Sequence, residues 1–173
     1  MKVLCIAVCR QGSPSKILSI EHNLETFSYF QRGSVQEAMN FFVQTVVERT
    51  PKGQRATVQE NSMELILFLD YTGHVYVRMD GLASAIVTDA EYPQRVAFSI
   101  LGKILDEFGA KYPNPSSNGS TTFIYPQLRD HLTKAQDPQS SDPFMRVSTL
   151  LYYLSYLYYL NIMRGLTKLY YYS

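Results

Sequence analysis

The clearest alternation of apolar and polar positions lies between residues 93 and 108. Apolar side chains recur there at intervals of three and four residues, which predicts a helix with one apolar face. They are Val96, Ala97, Ile100, Leu101, Ile104, Leu105 and Phe108. Pro93 suits the first turn because its missing N–H costs nothing there, and Asp89 and Glu91 lie where negative charge favours a helix start. We therefore predict a helix from about Pro93 that covers a sheet.

A second amphipathic helix is predicted from Val35 to about Arg49. Ser34 and Glu37 have the spacing of a capping box, in which two side chains satisfy free N–H groups at the helix start. On a wheel of about 100° per residue, one face collects Val35, Met39, Phe42, Val43 and Val46. Phe41 points to the side instead, with Glu37 and Thr45. The pattern thus predicts one aromatic side chain outside the core face.

Strand-like segments surround these helices. Val3 to Val8 is apolar on both alternating faces, which predicts a strand that is covered on both sides. Residues 16–20 follow across a turn and predict a hairpin. Further strands are predicted at Arg55–Gln59, His74–Met79 and Leu82–Thr88, and Asp80-Gly81 predicts a two-residue hairpin turn. Met63–Leu69 fits either another strand or an extension of its neighbour. Thr121–Tyr125 is strand-like, and Pro126 opens a further short helix.

The predicted order is β-β-α-β-β-β-α-α. Strands that are joined by short turns run antiparallel, so the fold class is α+β, with helices on both faces of one antiparallel sheet. A stretch rich in Pro, Ser and Asp follows the last helix and predicts a linker. We therefore expect a domain at 1–137, a linker at 138–146 and a Leu- and Tyr-rich tail at 147–173.

Composition narrows the class of protein. The net charge is +1, with 46% hydrophobic and 18% charged residues, so electrostatics give no reason to expect a nucleic-acid partner. Cys5 and Cys9 would lie about 13 Å apart on one strand, which is too far for a disulfide. We expect buried free thiols and a reducing compartment, the cytosol or a cytosolic membrane face. The N-terminal apolar run predicts a strand and not a signal peptide.

The sequence contains few residue patterns that indicate catalysis or ligand binding. His22, His74 and His131 lack the partner spacing that a metal site needs. The sequence contains neither a Gly-rich phosphate loop nor a G-x-S-x-G motif, and capping of the following helix accounts for Asp89 and Glu91. We therefore predict no catalytic residue, no metal and no cofactor, and a protein that is not an enzyme.

Four blocks of sequence resemble a known family. They are FSYFQRGSVQEAMNFF, RATVQE, HVYVRMDGLASAIVTDAEYPQRVAFSILGKILDEF and IYPQLRDHL. In this order they are similar to the longin domain of prenylated R-SNAREs of the YKT type, which are synaptobrevin homologues. The resemblance runs from Met1 to about Val147 and implies a profilin-like fold, with a five-stranded antiparallel sheet between one helix and two.

The resemblance also implies a function. Longin domains of this family fold back on their own SNARE helix and help target the protein, and the SNARE helix then drives membrane fusion in ER-Golgi and Golgi transport. It implies cognate SNARE partners and a cytoplasmic protein with peripheral association to Golgi and vesicle membranes. The alternative is a stand-alone longin adaptor or tethering subunit without fusion activity.

The resemblance places the partner-binding residues on the first helix. Phe41 matches the family position whose ring contacts the SNARE helix. Phe27, Tyr29 and Phe30 are expected to extend the same apolar patch, and Glu37 and Thr45 share the side of the helix on which Phe41 lies. These six residues are the predicted partner-binding site.

The tail departs from the family. No Asp or Glu follows Asp142 and no Cys follows Cys9, so the chain as written is not expected to be prenylated. The spacing from Leu150 to Arg164 fits a short heptad, but a segment with about eight tyrosines and no acidic residue makes a poor solvated helix, so we do not interpret Arg164 as a SNARE central arginine. The apolar run is shorter than the about 20 residues of a membrane span, and an interfacial helix remains an alternative.

We hypothesise that the tail is a gene-model artefact, an unspliced intron read in frame. Val147-Ser148 would be encoded by a GTAAGT donor, and the Leu, Ile, Tyr and Asn bias that follows is typical of AT-rich DNA. Sequencing the transcript decides this, since a mature message that encodes LLYYLSYLYYL would contradict it.

Overall fold

The structure is a computed structural model that describes residues 1–60, 71–113 and 123–138, and residues 151, 154–156 and 158–159 of the tail. The chain divides into two compact units, 1–141 and 142–173. Met63–Leu69 and nearly all of the predicted linker lie outside the described residues.

One antiparallel sheet forms the centre of the first unit. Its strands lie in the order β2-β1-β5-β4-β3, and every neighbouring pair is antiparallel. They are β1 Val3–Arg10, β2 Lys16–His22, β3 Arg55–Glu60, β4 Tyr71–Val77 and β5 Leu82–Asp89. The helices are α1 Arg32–Arg49, α2 Gln94–Lys111 and α3 Gln127–Ala135. The predicted α+β class and the predicted element order are confirmed.

Both faces of the sheet are covered. In β1 every residue from Val3 to Cys9 is buried, as its continuous apolar sequence predicts. Cys9 and Ala7 belong to the core cluster that contains the buried face of α1. On the opposite face the ring of His74 in β4 meets Phe98 of α2 edge to face at 5.7 Å. The sheet therefore separates α1 from α2.

The β4–β5 hairpin forms, but its turn is longer than the predicted two residues. The Arg78 N–H donates to Leu82 O at 2.8 Å, and the Gly81 N–H donates to Arg78 O at 3.0 Å. Gly81 has a φ of +80°, the left-handed conformation that glycine adopts without strain and that is common in hairpin loops longer than two residues. Strand β4 consequently ends before Met79.

Helix α1 begins earlier than the capping box predicted. Its first residue is Arg32 and its N-cap is Gln31, which makes no side-chain capping hydrogen bond. The carboxamide Oε1 of Gln31 instead accepts a bond from the Ser28 hydroxyl at 2.8 Å. This local turn starts the helix before Ser34, so Ser34 and Glu37 lie inside it and the predicted capping box is wrong.

Helix α2 has the predicted core face and begins beside Pro93, as predicted, but acidic side chains do not cap it. All seven predicted apolar side chains are buried. Pro93 is the N-cap with an extended backbone, and the first turn holds no acidic side chain. Asp89 Oδ2 lies 3.2 Å from the Met1 amine, so this carboxylate pairs with the N-terminus and does not cap the helix.

The segment before α3 is not a strand in its described part. Residues 123–125 have no regular structure, although the Phe123 N–H donates to Leu18 O of β2 at 2.7 Å. Pro126 is the N-cap of α3, which agrees with the predicted Pro-marked start.

Cys5 and Cys9 are buried free thiols, as predicted. Burial raises the pKa of Cys5 to about 12. Burial also raises the pKa of Cys9, and the neighbouring Cys5 adds to the shift. Both groups therefore stay protonated and act as small apolar side chains of the core.

Gly73 of β4 is required by close packing. A Cβ at this position would lie 2.7 Å from Cζ of Phe42 in α1, whose ring is buried. We expect Gly73→Ala to lower the free energy of unfolding by about 1–3 kcal/mol because the ring must shift. Gly102→Ala in α2 is the control: nothing lies within 4 Å of its added Cβ, and it should raise stability by about 0.5–1 kcal/mol. Equal denaturation midpoints for the two variants would contradict this packing.

His74 makes stability depend on pH. Its side chain is buried, its Nδ1 lies 3.0 Å from Thr57 Oγ1, and burial lowers its pKa from 6.5 to about 4. Between these values the unfolded chain binds a proton that the folded chain excludes, so stability falls as pH falls. From pH 7 to pH 5 the expected loss is about 2 kcal/mol.

The check is urea denaturation of the unaltered chain and of His74→Gln across that range. The variant should lose most of the change in the free energy of unfolding with pH. A smaller part should remain from His22, whose pKa burial also lowers. If the substitution leaves the pH dependence of the free energy of unfolding unchanged, His74 is not its cause.

Candidate partner-binding surface

Helix α1 presents one large aromatic side chain to solvent. Phe41 is 72% exposed, whereas Phe42 and Val43 beside it are buried. The contrast follows from the helical period, since adjacent residues point about 100° apart. The predicted position of Phe41 outside the core face is confirmed.

The neighbours of Phe41 on α1 are polar. Glu37 is exposed and Thr45 is half-buried, and the Thr45 hydroxyl donates to Phe41 O at 2.9 Å. Since that hydroxyl is already engaged with the helix backbone, the exposed ring is the dominant feature of this side of α1. An apolar ring with a polar border is typical of the centre of a binding surface.

Two further aromatic side chains are exposed just before α1. Tyr29 is 82% exposed and Phe30 is 91% exposed, and their rings meet edge to face at 5.9 Å. Neither ring is covered by the core, so both are available to a partner. We call the three exposed aromatic residues in and just before α1, Tyr29, Phe30 and Phe41, the α1 aromatic surface.

Phe27 does not belong to this surface. It is only 9% exposed and packs in the core cluster beneath α1. Its carbonyl accepts a hydrogen bond from Arg32 Nε at 3.2 Å, which ties this segment to the first residue of α1. The prediction that Phe27 extends the exposed patch is wrong, because this irregular segment turns its first aromatic ring inward.

A cavity of about 320 Å³ lies at the edge of β2, and no sequence pattern predicted it. Its charged lining residues are Glu21, Glu25, Arg32 and Arg129. The other lining residues are His22, Asn23, Leu24, Leu132, Thr133 and Gln136. Charges of both signs lie together there, so the lining does not select an anionic or a cationic ligand. The segments that form it are far apart in the chain, and no local pattern marks it.

Two histidines besides His74 have ordinary polar partners. His22 Nε2 lies 2.9 Å from Asn40 Oδ1, and His131 Nε2 lies 2.7 Å from Glu107 Oε2. Burial alone would raise the pKa of Glu107, but the hydrogen bond and charge of His131, the charge of Lys103 and the hydrogen bond from Tyr125 together lower that pKa. Within the described ranges, no three His, Cys, Asp or Glu side chains come together as metal ligands.

Within the part of the chain that the structure describes, no helix combines the length and the apolar character that crossing a bilayer requires.

The sequence is similar to one protein family and to several named proteins. The family described as Longin, a regulated-SNARE-like domain, matches residues 24–128. The chain is 43% identical over 149 residues to synaptobrevin homolog ykt6 of Schizosaccharomyces pombe. It is 38% identical to synaptobrevin homolog YKT6 of Yarrowia lipolytica and 36% identical to that of Saccharomyces cerevisiae, each over 152 residues. These alignments cover 85% of this chain and 72% of each relative.

Proposed function

Because the chain belongs to the longin-domain R-SNARE family of the Ykt6 type, we propose that its longin domain regulates and targets SNARE-mediated fusion by binding a SNARE helix across α1. Family membership gives the chain an R-SNARE-like role in vesicle trafficking, with SNARE proteins as its general class of partner. The proposal adds the surface and the mode of regulation.

The exposure of Phe41 is the observation that supports this proposal. A helix that buries one face against the sheet normally presents polar side chains on the other, yet α1 keeps a phenylalanine there. Burying such a ring against a partner contributes about 1.5–3 kcal/mol. An amphipathic helix supplies a matching apolar stripe, and the SNARE motif is a helix of this kind. Glu37 and Thr45 would form the polar rim of the contact.

We propose further that the chain acts at the cytosolic face of vesicle and Golgi membranes, in ER-Golgi and Golgi transport. The family resemblance supports this step, and the buried free thiols fit a reducing compartment. In this proposal 1–137 is the longin domain and 138–146 is the linker that leads to the tail.

A second candidate is a stand-alone longin adaptor without fusion activity. The composition of residues 147–173 favours it, since this segment contains no acidic residue and a SNARE bundle uses charged heptad flanks. In this case the domain would bind SNARE helices of other proteins and would not itself enter a bundle.

Binding and assembly measurements test both candidates. A labelled SNARE-motif peptide of the S. pombe relative is titrated with the purified 173-residue chain and followed by fluorescence anisotropy. Saturable binding is expected, and its absence would contradict the proposed regulation. The chain is then mixed with the remaining SNARE motifs of a bundle. A detergent-resistant four-helix complex that contains the chain indicates that it enters a SNARE bundle, whereas peptide binding without such a complex indicates the adaptor.

A further inference from the structure

Three loops meet at one end of the sheet, where β1 and β4 end and the other three strands begin. The Gln11 N–H donates to Gly81 O at 2.9 Å, and the Gly53 N–H donates to Val77 O at 2.8 Å. These bonds join the β1–β2 loop and the loop after α1 to the β4–β5 hairpin. We call this region the turn end of the domain, defined by residues 10–16, 48–55 and 78–82.

Positive charge is concentrated at the turn end. Six basic residues lie there against two acidic ones, Glu48 and Asp80, which is a surplus of four positive charges. The net charge of the whole chain is only +1, so the turn end differs in sign from the remainder. The basic residues are Arg10, Lys16, Arg49, Lys52, Arg55 and Arg78.

The two acidic residues neutralise only a part of this charge. The carboxylate of Asp80 lies 3.0 Å from Arg78 Nη2, and the Asp80 carbonyl accepts a hydrogen bond from Arg10 Nη1 at 2.7 Å. Glu48 Oε1 accepts a hydrogen bond from the Ser13 hydroxyl at 2.8 Å. Within the described ranges, three exposed basic side chains have no carboxylate partner: Lys16, Arg49 and Lys52.

An exposed apolar side chain lies among these cations. Met79 is 76% exposed, and its Sδ lies 2.6 Å from the position that a Cβ would take on Gly53. The side chain therefore lies against the loop that follows α1. Lys52 Nζ and Arg10 Nη1 lie 3.8 and 3.7 Å from the corresponding position on Gly81. The turn end thus combines a solvent-exposed methionine with basic groups beside it.

An anionic lipid surface matches this combination. Methionine is unbranched and flexible, so it adapts to an irregular apolar environment, and transfer of its side chain out of water is favourable. Lysine and arginine keep their charged groups at the headgroup level while their stems lie along apolar surface. Basic groups are attracted to the negative surface potential of the cytoplasmic leaflet. An acidic protein would match the cations but would gain nothing from Met79.

We propose that the turn end docks on an anionic lipid surface, with Met79 inserted among the headgroups and the basic side chains against their phosphates. The inference rests on the proposed action at vesicle and Golgi membranes, and it names the surface that meets the bilayer. Helix α1 ends at Arg49, so Phe41 lies about 12 Å from that end along the helix axis. Docking therefore leaves Phe41 accessible to a SNARE helix.

Vesicle flotation of the purified 173-residue chain tests the charge contact. The chain should float with vesicles that contain about 30 mol% phosphatidylserine and much less with pure phosphatidylcholine, because the charge attraction is lost. The double substitution Arg49→Gln and Lys52→Gln should lower the affinity for anionic vesicles about tenfold. The matched control, Lys2→Gln with Arg129→Gln, removes the same charge from exposed side chains outside the turn end and should keep the affinity within about twofold.

A fluorescent label at position 79 tests insertion. Met79→Cys is labelled with an environment-sensitive dye, and the label is selective because Cys5 and Cys9 are buried and stay protonated. Its emission should shift to the blue when anionic vesicles are added. The same label at Tyr29→Cys is the control: residue 29 precedes the opposite end of α1, a helix about 27 Å long, so its emission should stay unchanged.

The outcomes separate lipid docking from SNARE binding, which peptide anisotropy measures without lipid. Absence of flotation with anionic vesicles, equal affinities of the two double variants, or flotation without a blue shift at position 79 would each overturn the docking. Retention of the chain on polyglutamate without vesicle binding would also overturn it and would indicate an acidic protein partner. Peptide binding without flotation contradicts lipid docking alone, whereas flotation with the blue shift but without peptide binding contradicts the SNARE proposal alone.

Discussion

Phe41→Glu weakens binding of a SNARE-motif peptide to this chain by at least about tenfold, the loss expected when a central aromatic contact of an interface is removed. The ring is 72% exposed, so its removal leaves no cavity in the core. The substitution replaces apolar contact area with a carboxylate that must lose water if the partner helix covers it. Both effects act on the complex, and the folded domain keeps its stability within about 0.5 kcal/mol.

The matched control is Met79→Glu, which places the same charge on a similarly exposed apolar residue of the β4–β5 turn. Fluorescence anisotropy should give the control the affinity of the unaltered chain. If Phe41→Glu and Met79→Glu bind the peptide equally well, Phe41 is not a contact residue. Thermal unfolding of both variants shows whether a loss of affinity comes from the surface or from the fold.

Phe108→Ala lowers the free energy of unfolding by about 3–5 kcal/mol, as expected for a fully buried phenylalanine. Phe108 is among the largest completely buried side chains that the structure describes. Its ring contacts those of Tyr112, Phe123 and Tyr125 at centroid distances of 4.7, 5.7 and 5.3 Å. These contacts join the end of α2 to the segment before α3, so the alanine variant loses the packing between two elements.

Urea denaturation followed by circular dichroism measures this effect, and Ile124→Ala is the control. Ile124 lies between two members of the aromatic cluster in sequence but is exposed, so its substitution should change stability by less than about 0.5 kcal/mol. A loss below about 1 kcal/mol for Phe108→Ala would contradict the role of the ring as the centre of this core.

The long helices could be predicted because each of their turns must place an apolar residue in the core, so the apolar spacing repeats along the sequence. The seven apolar residues of α2 recur over several turns, and all are buried. The same reasoning found Phe41, since the wheel of α1 assigned Phe42 and Val43 to the core and left Phe41 outside it. Periodicity thus predicted both the main helices and the exposed ring of α1.

The ends of elements could not be predicted from these patterns. A hydrogen bond between Ser28 and Gln31 lies just before the start of α1, and Asp89 pairs with the amine of Met1. Both contacts follow from the path of the chain. Phe27 and Phe30 are three residues apart in a segment without regular period, so the sequence does not distinguish the buried ring from the exposed one.

The cavity beside β2 was missed for a related reason. Its lining comes from residues 21–25, Arg32 and residues 129–136, and these meet only after α3 packs against β1 and β2. A site that is assembled from separate segments leaves no spacing in the sequence. A site on one helix face, such as the position of Phe41 on α1, can be recognised from the spacing of residues along the helix.

Binding of a SNARE helix at α1 can be mapped residue by residue with nuclear magnetic resonance. The ¹⁵N-labelled chain is titrated with the unlabelled SNARE-motif peptide, and changes in backbone amide shifts are assigned to residues. We expect changes along the exposed side of α1, at Glu37, Phe41 and Thr45, and at Tyr29 and Phe30. Changes confined to α2 and α3, or no changes at saturating peptide, would contradict binding at α1.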